Sequence, residues 1–341
     1  MTYKNALLHN VAELVDEPSY RAKRIQRVPE ATRVQLDEPA QLRTQNPDAC
    51  EIRFVLEGTA AEVTVSAKEP GTTVSLFFGP FSANQTWVLG AEPRTIPVEL
   101  NQDQKSRIAA IPDDVVQGLS FHPSVARLVF YHRGIALLHD ISGDIRPPTS
   151  SELPSRSILT YGTSITHGAA ATQAHLTWAG QTAWRLGADL INLGVGGACL
   201  CEAAYGDHIA GRDDWDLAVL SLSVNMIGHG FDGAGFRERV SYVVDTVSAA
   251  HPEKPVACVS IYPYFGDFDH TLHANAKATA VEFRTILRDI VTRLDRPNLH
   301  FIEGSSILDD IAGLTTDLIH PSDLGMIRMG ENMAKALRPL L

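Results

Sequence analysis

The sequence predicts an α/β domain built on a parallel sheet, preceded by an antiparallel β-sandwich of jelly-roll type. Three observations carry that reading. Short apolar runs between about residues 35 and 145 alternate with polar residues and are punctuated by Gly and Pro. A proline- and hydroxyl-rich stretch then interrupts the chain at Arg146–Pro154. Beyond it, continuous apolar runs are separated by stretches of helical periodicity.

The chain has 341 residues, of which 44% are hydrophobic and 20% charged. That length suits about two domains, and the composition is that of a folded globular protein. The net charge of −11 excludes the basic surface that tracking a phosphate backbone needs, so nucleic acid is not the expected partner. Four cysteines, Cys50, Cys199, Cys201 and Cys258, are too few for a disulfide-dense secreted scaffold. Residues 1–20 lack the apolar core and cleavage site of a secretory leader. No apolar run reaches the roughly 20 residues that span a bilayer. A cytoplasmic protein that does not engage membranes is the expectation.

In the first half, Ile52–Leu56, Ala61–Val65, Thr73–Phe77 and Arg127–Tyr131 read as strands. Val63 and Val65 alternate with Glu62, Thr64 and Ser66, the period of a half-buried strand. Gly58, Pro70-Gly71, Gly79-Pro80 and Pro93 read as breaks between them, and no long helical stripe is evident. The domains are expected to be residues 1–150 and 151–341.

In the second half, Ile158–Tyr161, Leu190–Leu193, Leu217–Leu220, Val256–Val259 and Leu299–Ile302 read as strands buried on both faces. Phe236, Val240, Val243, Val244 and Val247 form one helical stripe, ended by His251-Pro252. Phe283, Ile286, Leu287, Ile290 and Leu294 form another.

Ligands bind such sheets beyond the carboxyl ends of the strands, so the residues there carry the functional reading. After the first strand comes Tyr161-Gly162-Thr163-Ser164-Ile165-Thr166-His167-Gly168. Ser164 could expose its hydroxyl at the sheet edge, or simply cap a helix. It is not the elbow of α/β-hydrolases, which needs glycine where Thr166 stands. After the second strand, Gly194-Val195-Gly196-Gly197 could offer backbone N–H groups at the sheet edge. A dinucleotide fingerprint would need a small residue where Cys199 stands, and no Walker-type loop occurs. After the third strand, Asn225 could donate a hydrogen bond into the crevice, or serve as a turn residue. Near the end, Asp317 and His320 stand three apart. The carboxylate could hold one imidazole nitrogen while the other takes a proton from a serine. Pro321 and Ser322 could equally begin the helix marked by Met326, Met329, Met333 and Leu337.

The order Ser164, glycine loop, Asn225, Asp317-x-x-His320 resembles the SGNH (GDSL) hydrolase family over about residues 156–341. The first block resembles the branch written Gly-Thr/Ser-Ser-Ile-Thr. The resemblance implies a flavodoxin-like three-layer α/β/α fold. It implies Ser164 as nucleophile, His320 as general base and Asp317 as the residue orienting the imidazole. It also implies an oxyanion hole from the N–H of Ser164, the N–H of Gly197 and the side chain of Asn225. Gly197 is selected because it stands five after Asn192, as in the family; Gly196 and Gly194 stay open. The chain departs from the family at Thr163, Ser223 and Met226, where Asp, Gly and Asp are usual.

The expected function is a serine esterase cleaving carboxylic esters of short acyl groups, with an acylated carbohydrate or small natural product as substrate. An acyltransferase is the alternative, since carbohydrate esterases and acyl-transferring members share this domain order. A carbohydrate-binding protein with an inactive hydrolase domain is the second alternative. No cofactor is expected. Cys199-x-Cys201 lacks a second pair at zinc spacing, so no metal is expected either. His122, His132, His229, His251, His270 and His273 read as surface or core histidines. His167 could line the site or be structural, and Tyr262, Tyr264 and Phe265 could wall a pocket.

Overall fold

The computed structural model describes residues 1–131 and 134–341; His132 lies outside the described residues. The chain forms two compact units, one of residues 1–30, 44–156 and 187–189, the other of residues 31–43, 157–186 and 190–341.

The first unit is built on antiparallel strands, ten of them in one hydrogen-bonded sheet. Its centre is Glu51–Ala67, a single 17-residue strand. It pairs with Val125–Tyr131 through Ile52 opposite Leu128, and with Ala136–Arg146 through Val63 opposite Ile141. The two runs expected on either side of Gly58 are thus one strand, because the chain stays extended through that glycine. Val63 and Val65 are fully buried beside Ile52, Phe54, Val74, Leu128 and Phe130 in the core of this unit. The helix Gln102–Ala109 was not foreseen. It opens on an Asn101–Gln104 capping box and buries no residue, so it carries no apolar stripe to read.

The second unit has a five-stranded sheet of Ser157–Gly162, Asp189–Asn192, Leu217–Ser221, Val256–Val259 and Leu299–Ile302. In chain order the strands lie 2-1-3-4-5, the flavodoxin-like arrangement. The first, third, fourth and fifth pair in parallel, with Ile158 beside Leu217, Val219 beside Ala257 and Cys258 beside Phe301. Their apolar side chains are buried because helices cover the sheet.

The helix Trp178–Leu186 packs on Asp323–Leu337, where Gly330 permits a close crossing: a Cβ there would stand 2.4 Å from Gln181 Cβ. Gly233–Ala250 and Ala280–Leu294 pack through Phe236 and Phe283, whose rings stack at 3.9 Å. Among the described residues, no helix is long and apolar enough to cross a membrane. In the 2-1-3 order, the end of the first strand lies between the loops leaving the second and third. That is where the topology reverses and where an open sheet offers a crevice.

Candidate active site

The first strand ends at Gly162, where a Cβ would stand 2.3 Å from Thr166 Oγ1 and 2.8 Å from the Ser221 carbonyl oxygen. Only glycine allows so tight a passage from strand into turn. Thr163 then caps a one-turn helix, its Oγ1 accepting the Ile165 N–H at 3.3 Å. Ser164 opens that turn, half-buried. A first-turn N–H has no partner within its helix, and that of Ser164 makes no hydrogen bond among the described residues.

Ser164 Oγ lies 2.8 Å from His320 Nε2, across 156 positions of chain. His320 Nδ1 lies 2.7 Å from Asp317 Oδ2. A carboxylate only accepts, so Nδ1 carries the ring proton and Nε2 of the neutral ring is left as the acceptor for the serine hydroxyl. Asp317 Oδ1 accepts the N–H groups of Ile319 and His320 and the Thr315 hydroxyl, each at 2.9 Å. Partial burial alone would raise the Asp317 carboxyl; the His320 N–H and the imidazole, with the other two donors, hold it well below the usual carboxylate range. The loop closes on itself through Thr315 N–H to the His320 carbonyl, 2.8 Å, and puts Leu318 at a left-handed φ of 53°. Ser322 also caps the helix that follows, its side chain accepting the Gly325 N–H.

The glycine loop packs beside the serine turn. Asn192 stitches the two together, donating to the Thr166 carbonyl at 2.9 Å and accepting the Gly194 N–H at 2.8 Å. A Cβ on Gly194 would stand 2.3 Å from the His167 nitrogen, and one on Gly196 would stand 3.6 Å from Ser164 Cα and Cβ. The Gly196 N–H donates to Nδ1 of the buried His167 at 3.1 Å. Of the three glycines, Gly194 and Gly196 thus have their N–H groups committed. Gly197, exposed at φ 73°, has an N–H with no hydrogen bond among the described residues. Its carbonyl accepts from His229 Nε2 at 3.0 Å.

Asn225 stands in the turn Val224–Gly228, half-buried, its Oδ1 accepting the Cys199 N–H at 3.2 Å. That bond commits the oxygen and leaves the Nδ2 hydrogens unbonded among the described residues. Ser223 Oγ donates to the Cys199 carbonyl, so a serine replaces the family's glycine by tying the third-strand loop to the second.

A cavity of about 10 Å³, room for about one water molecule, adjoins these residues and is lined by Thr163, Ile165, Ser221, Tyr262, Tyr264 and Ile319 among others. The Ser221 hydroxyl donates to the Tyr262 hydroxyl oxygen at 3.1 Å, and burial pushes the Tyr262 phenol above the ordinary range.

Sequence reasoning did not find Asn192, His229, Glu202 or Arg43 as parts of this site. Asn192 is a buried amide at a strand end, a signal that was there to read. Arg43 had none: it is an exposed arginine 153 positions from the Gly196 carbonyl it touches.

The arrangement is a serine hydroxyl hydrogen-bonded to an imidazole that a carboxylate orients, with the N–H groups of Ser164 and Gly197 and the Nδ2 of Asn225 unengaged among the described residues. Such a set of groups is chemically able to support acyl transfer through a serine. The family model of the GDSL-like lipase/acylhydrolases matches residues 155–338, more than half of the chain, and the chain belongs to that family. No curated protein matches the chain.

Solved structures share its fold. The salicylyl-acyltransferase SsfX3 from a tetracycline biosynthetic pathway is 16% identical, with a TM-score of 0.77 over 100% of this chain and 98% of that one. A family two carbohydrate esterase from Cellvibrio japonicus is 15% identical, with a TM-score of 0.62 over 86% and 89%. A carbohydrate esterase family 2 enzyme plus carbohydrate binding domain from Corynascus thermopiles (Myceliophthora fergusii) is 18% identical, with a TM-score of 0.61 over 94% and 99%.

Proposed function

We propose that the protein is a serine esterase that cleaves carboxylic esters of short acyl groups through an acyl-enzyme. The observation that carries the reading is the unbroken chain Ser164 Oγ, His320 Nε2, His320 Nδ1, Asp317 Oδ2, with links of 2.8 and 2.7 Å. His320 takes the hydroxyl proton as Ser164 Oγ bonds to the ester carbonyl carbon. The carbonyl oxygen becomes the oxyanion and receives the N–H of Ser164, the N–H of Gly197 and the amide of Asn225. Collapse expels the alcohol, which takes the proton from His320 and leaves the acyl group on Ser164. Water, deprotonated by His320, then repeats the sequence and frees the acid.

The cavity lined by Thr163 and Ile165, the chain neighbours of Ser164, and by Ile319, that of His320, has room for only about one water molecule, and its smallness supports a short acyl group. An acylated carbohydrate or small natural product is the substrate class this reading carries.

Ser164→Ala should abolish hydrolysis of p-nitrophenyl acetate and labelling by a fluorophosphonate probe. Retained activity in that variant overturns the assignment, and a wild-type protein that neither reacts nor cleaves would instead be an inactive, carbohydrate-binding relative. Acyl transfer to an alcohol follows the same path up to the acyl-enzyme. The partition between free acid and transferred ester, measured with acylated sugars as acceptors, separates the two: transfer in excess of hydrolysis makes the protein an acyltransferase.

A further inference from the structure

We propose that Arg43 is a positioning residue for the oxyanion hole, aiming the Gly197 N–H by holding the carbonyl on the other side of the same peptide bond. The inference rests on the reading of Gly197 as an oxyanion donor. The carbonyl of Gly196 and the N–H of Gly197 belong to one planar trans amide, so the direction of one fixes the direction of the other. Arg43 Nε donates to that carbonyl oxygen at 3.1 Å.

The hold is needed because the two residues on either side are glycines. Gly197 sits at φ 73°, and a Gly-Gly pair has the backbone freedom to turn its shared peptide. Each neighbouring backbone group is held by a basic side chain. The Gly196 N–H is taken by His167 Nδ1, the Gly196 carbonyl by Arg43 and the Gly197 carbonyl by His229 Nε2. Only the Gly197 N–H is left unbonded among the described residues. A guanidinium on the carbonyl also polarises the amide and makes its N–H a stronger donor.

Arg43 is itself held in place. It ends the short helix Glu38–Arg43. Just before that helix, the Asp37 N–H donates to Oε1 of the buried Glu202 at 2.6 Å. Arg239 Nη1 donates to the Leu200 carbonyl at 3.2 Å and lies 4.0 Å from Asp37 Oδ2. The segment carrying Arg43 is therefore tied at both ends to the one loop, at residues 196 and 202, that carries the glycines.

The test compares wild type, Arg43→Ala, Arg43→Lys and Ser164→Ala on p-nitrophenyl acetate, with melting temperatures alongside. Losing an oxyanion donor outright costs about 100- to 1000-fold in kcat, and loosening one costs less. Arg43→Ala is expected to lower kcat about tenfold with KM and melting temperature little changed. The rate of fluorophosphonate labelling should fall in parallel, since phosphonylation puts an oxygen in the same hole. Dilute guanidinium should restore part of the lost kcat, and Arg43→Lys should fall between alanine and wild type. Arg43→Gln serves as a second truncation should the alanine variant melt early, with the same expected pattern. If Ser164→Ala is inactive while the Arg43 truncations keep wild-type kcat, or raise only KM, this role of Arg43 is overturned and the serine mechanism stands. If Ser164→Ala stays active, the underlying mechanism itself has failed.

Discussion

The loop that holds His320 and the loop that holds the glycines are built by opposite means. In the first, nearly every tie lies within Leu314–Pro321. Asp317 is gripped by donors from 315, 319 and 320, and the loop is closed by Thr315 on the His320 carbonyl and a bridge from Leu314 to Pro321. Its main outside tie is the Phe265 N–H on the Leu318 carbonyl. In the second, local bonds such as Gly194 N–H to Asn192 Oδ1 and Ala198 N–H to the Val195 carbonyl are joined by many distant ones. The distant ties run to Thr166, His167, Asn225, His229, Asp37 and Arg43, from 26 to 165 positions away. A loop of glycines has few side chains with which to hold itself, so the rest of the fold must hold it. A change in the first loop should therefore act on chemistry, and a change in the second on both chemistry and the seating of the loop.

The largest effect should come from Asp317→Asn. The amide can donate to Nδ1 and so favour the imidazole tautomer whose Nε2 bears the proton, which cannot accept from Ser164. Loss in kcat should be on the order of 10³- to 10⁴-fold with the fold intact by circular dichroism. A loss under tenfold would mean that the tautomer is set by something outside this loop.

Asn225→Ala should come next, at about 100- to 1000-fold in kcat. It removes a donor from the proposed oxyanion hole and the acceptor for the Cys199 N–H together. Unlike Asp317→Asn, it should also lower the melting temperature, because a backbone N–H of the glycine loop loses its partner.

The same contrast governs what could be read in the sequence. Asp-x-x-His was legible because three residues of spacing already place the two side chains together. The strands of the five-stranded sheet were legible because strands under covering helices read as short, continuous apolar runs. The glycine loop was legible as a run of turn glycines at a strand end, but the choice of Gly197 within it rested on the resemblance alone. Gly194, Gly196 and Gly197 are indistinguishable as letters, and what separates them is that Asn192 and His167 occupy the N–H groups of the first two. Arg43 and Glu202 were beyond reading, since a surface arginine and a glutamate gain their roles only from a fold that brings residues 37–43 to the loop. Gly58 misled for a simpler reason: glycine allows a break but does not require one, and here Glu51–Ala67 runs through it.

Glu202 offers a test of how firmly the second loop depends on distant groups. Burial pushes its carboxyl up to about 7, with the nearby Asp37 charge adding to the rise and the Asp37 N–H and Arg239 opposing it. Between about pH 4.5 and 7 the folded protein keeps a proton that the unfolded chain has lost. Its contribution to stability is thus full below the unfolded pKa and disappears as pH rises through 7, by at most about 3 kcal/mol. Glu202→Gln keeps an acceptor for Asp37 and has no proton to lose. Urea unfolding at pH 5 and pH 8 should show wild type losing stability relative to Glu202→Gln on going to the higher pH. Equal slopes would mean that the carboxyl is not desolvated in solution.

The smallest effect belongs to Thr315→Val, and it is the most direct measure of how self-sufficient the first loop is. The substitution removes one of the donors on Asp317 and keeps the β-branched shape. The Ile319 and His320 N–H groups still hold Oδ1, and the imidazole still holds Oδ2. The backbone of residue 315 keeps both its bonds, to His320 and from Leu318. Asp317 has a side chain 48% exposed, so water can take the place of the hydroxyl. The net worth of such a bond is about 0.5–1 kcal/mol, or at most about a fivefold change in kcat. The remaining donors keep the carboxylate ionised, so the acid limb of the pH–rate profile should not move. If Thr315→Val instead costs as much as Asn225→Ala, the grip on Asp317 is a cooperative unit, and the contrast between a self-held loop and a fold-held one fails.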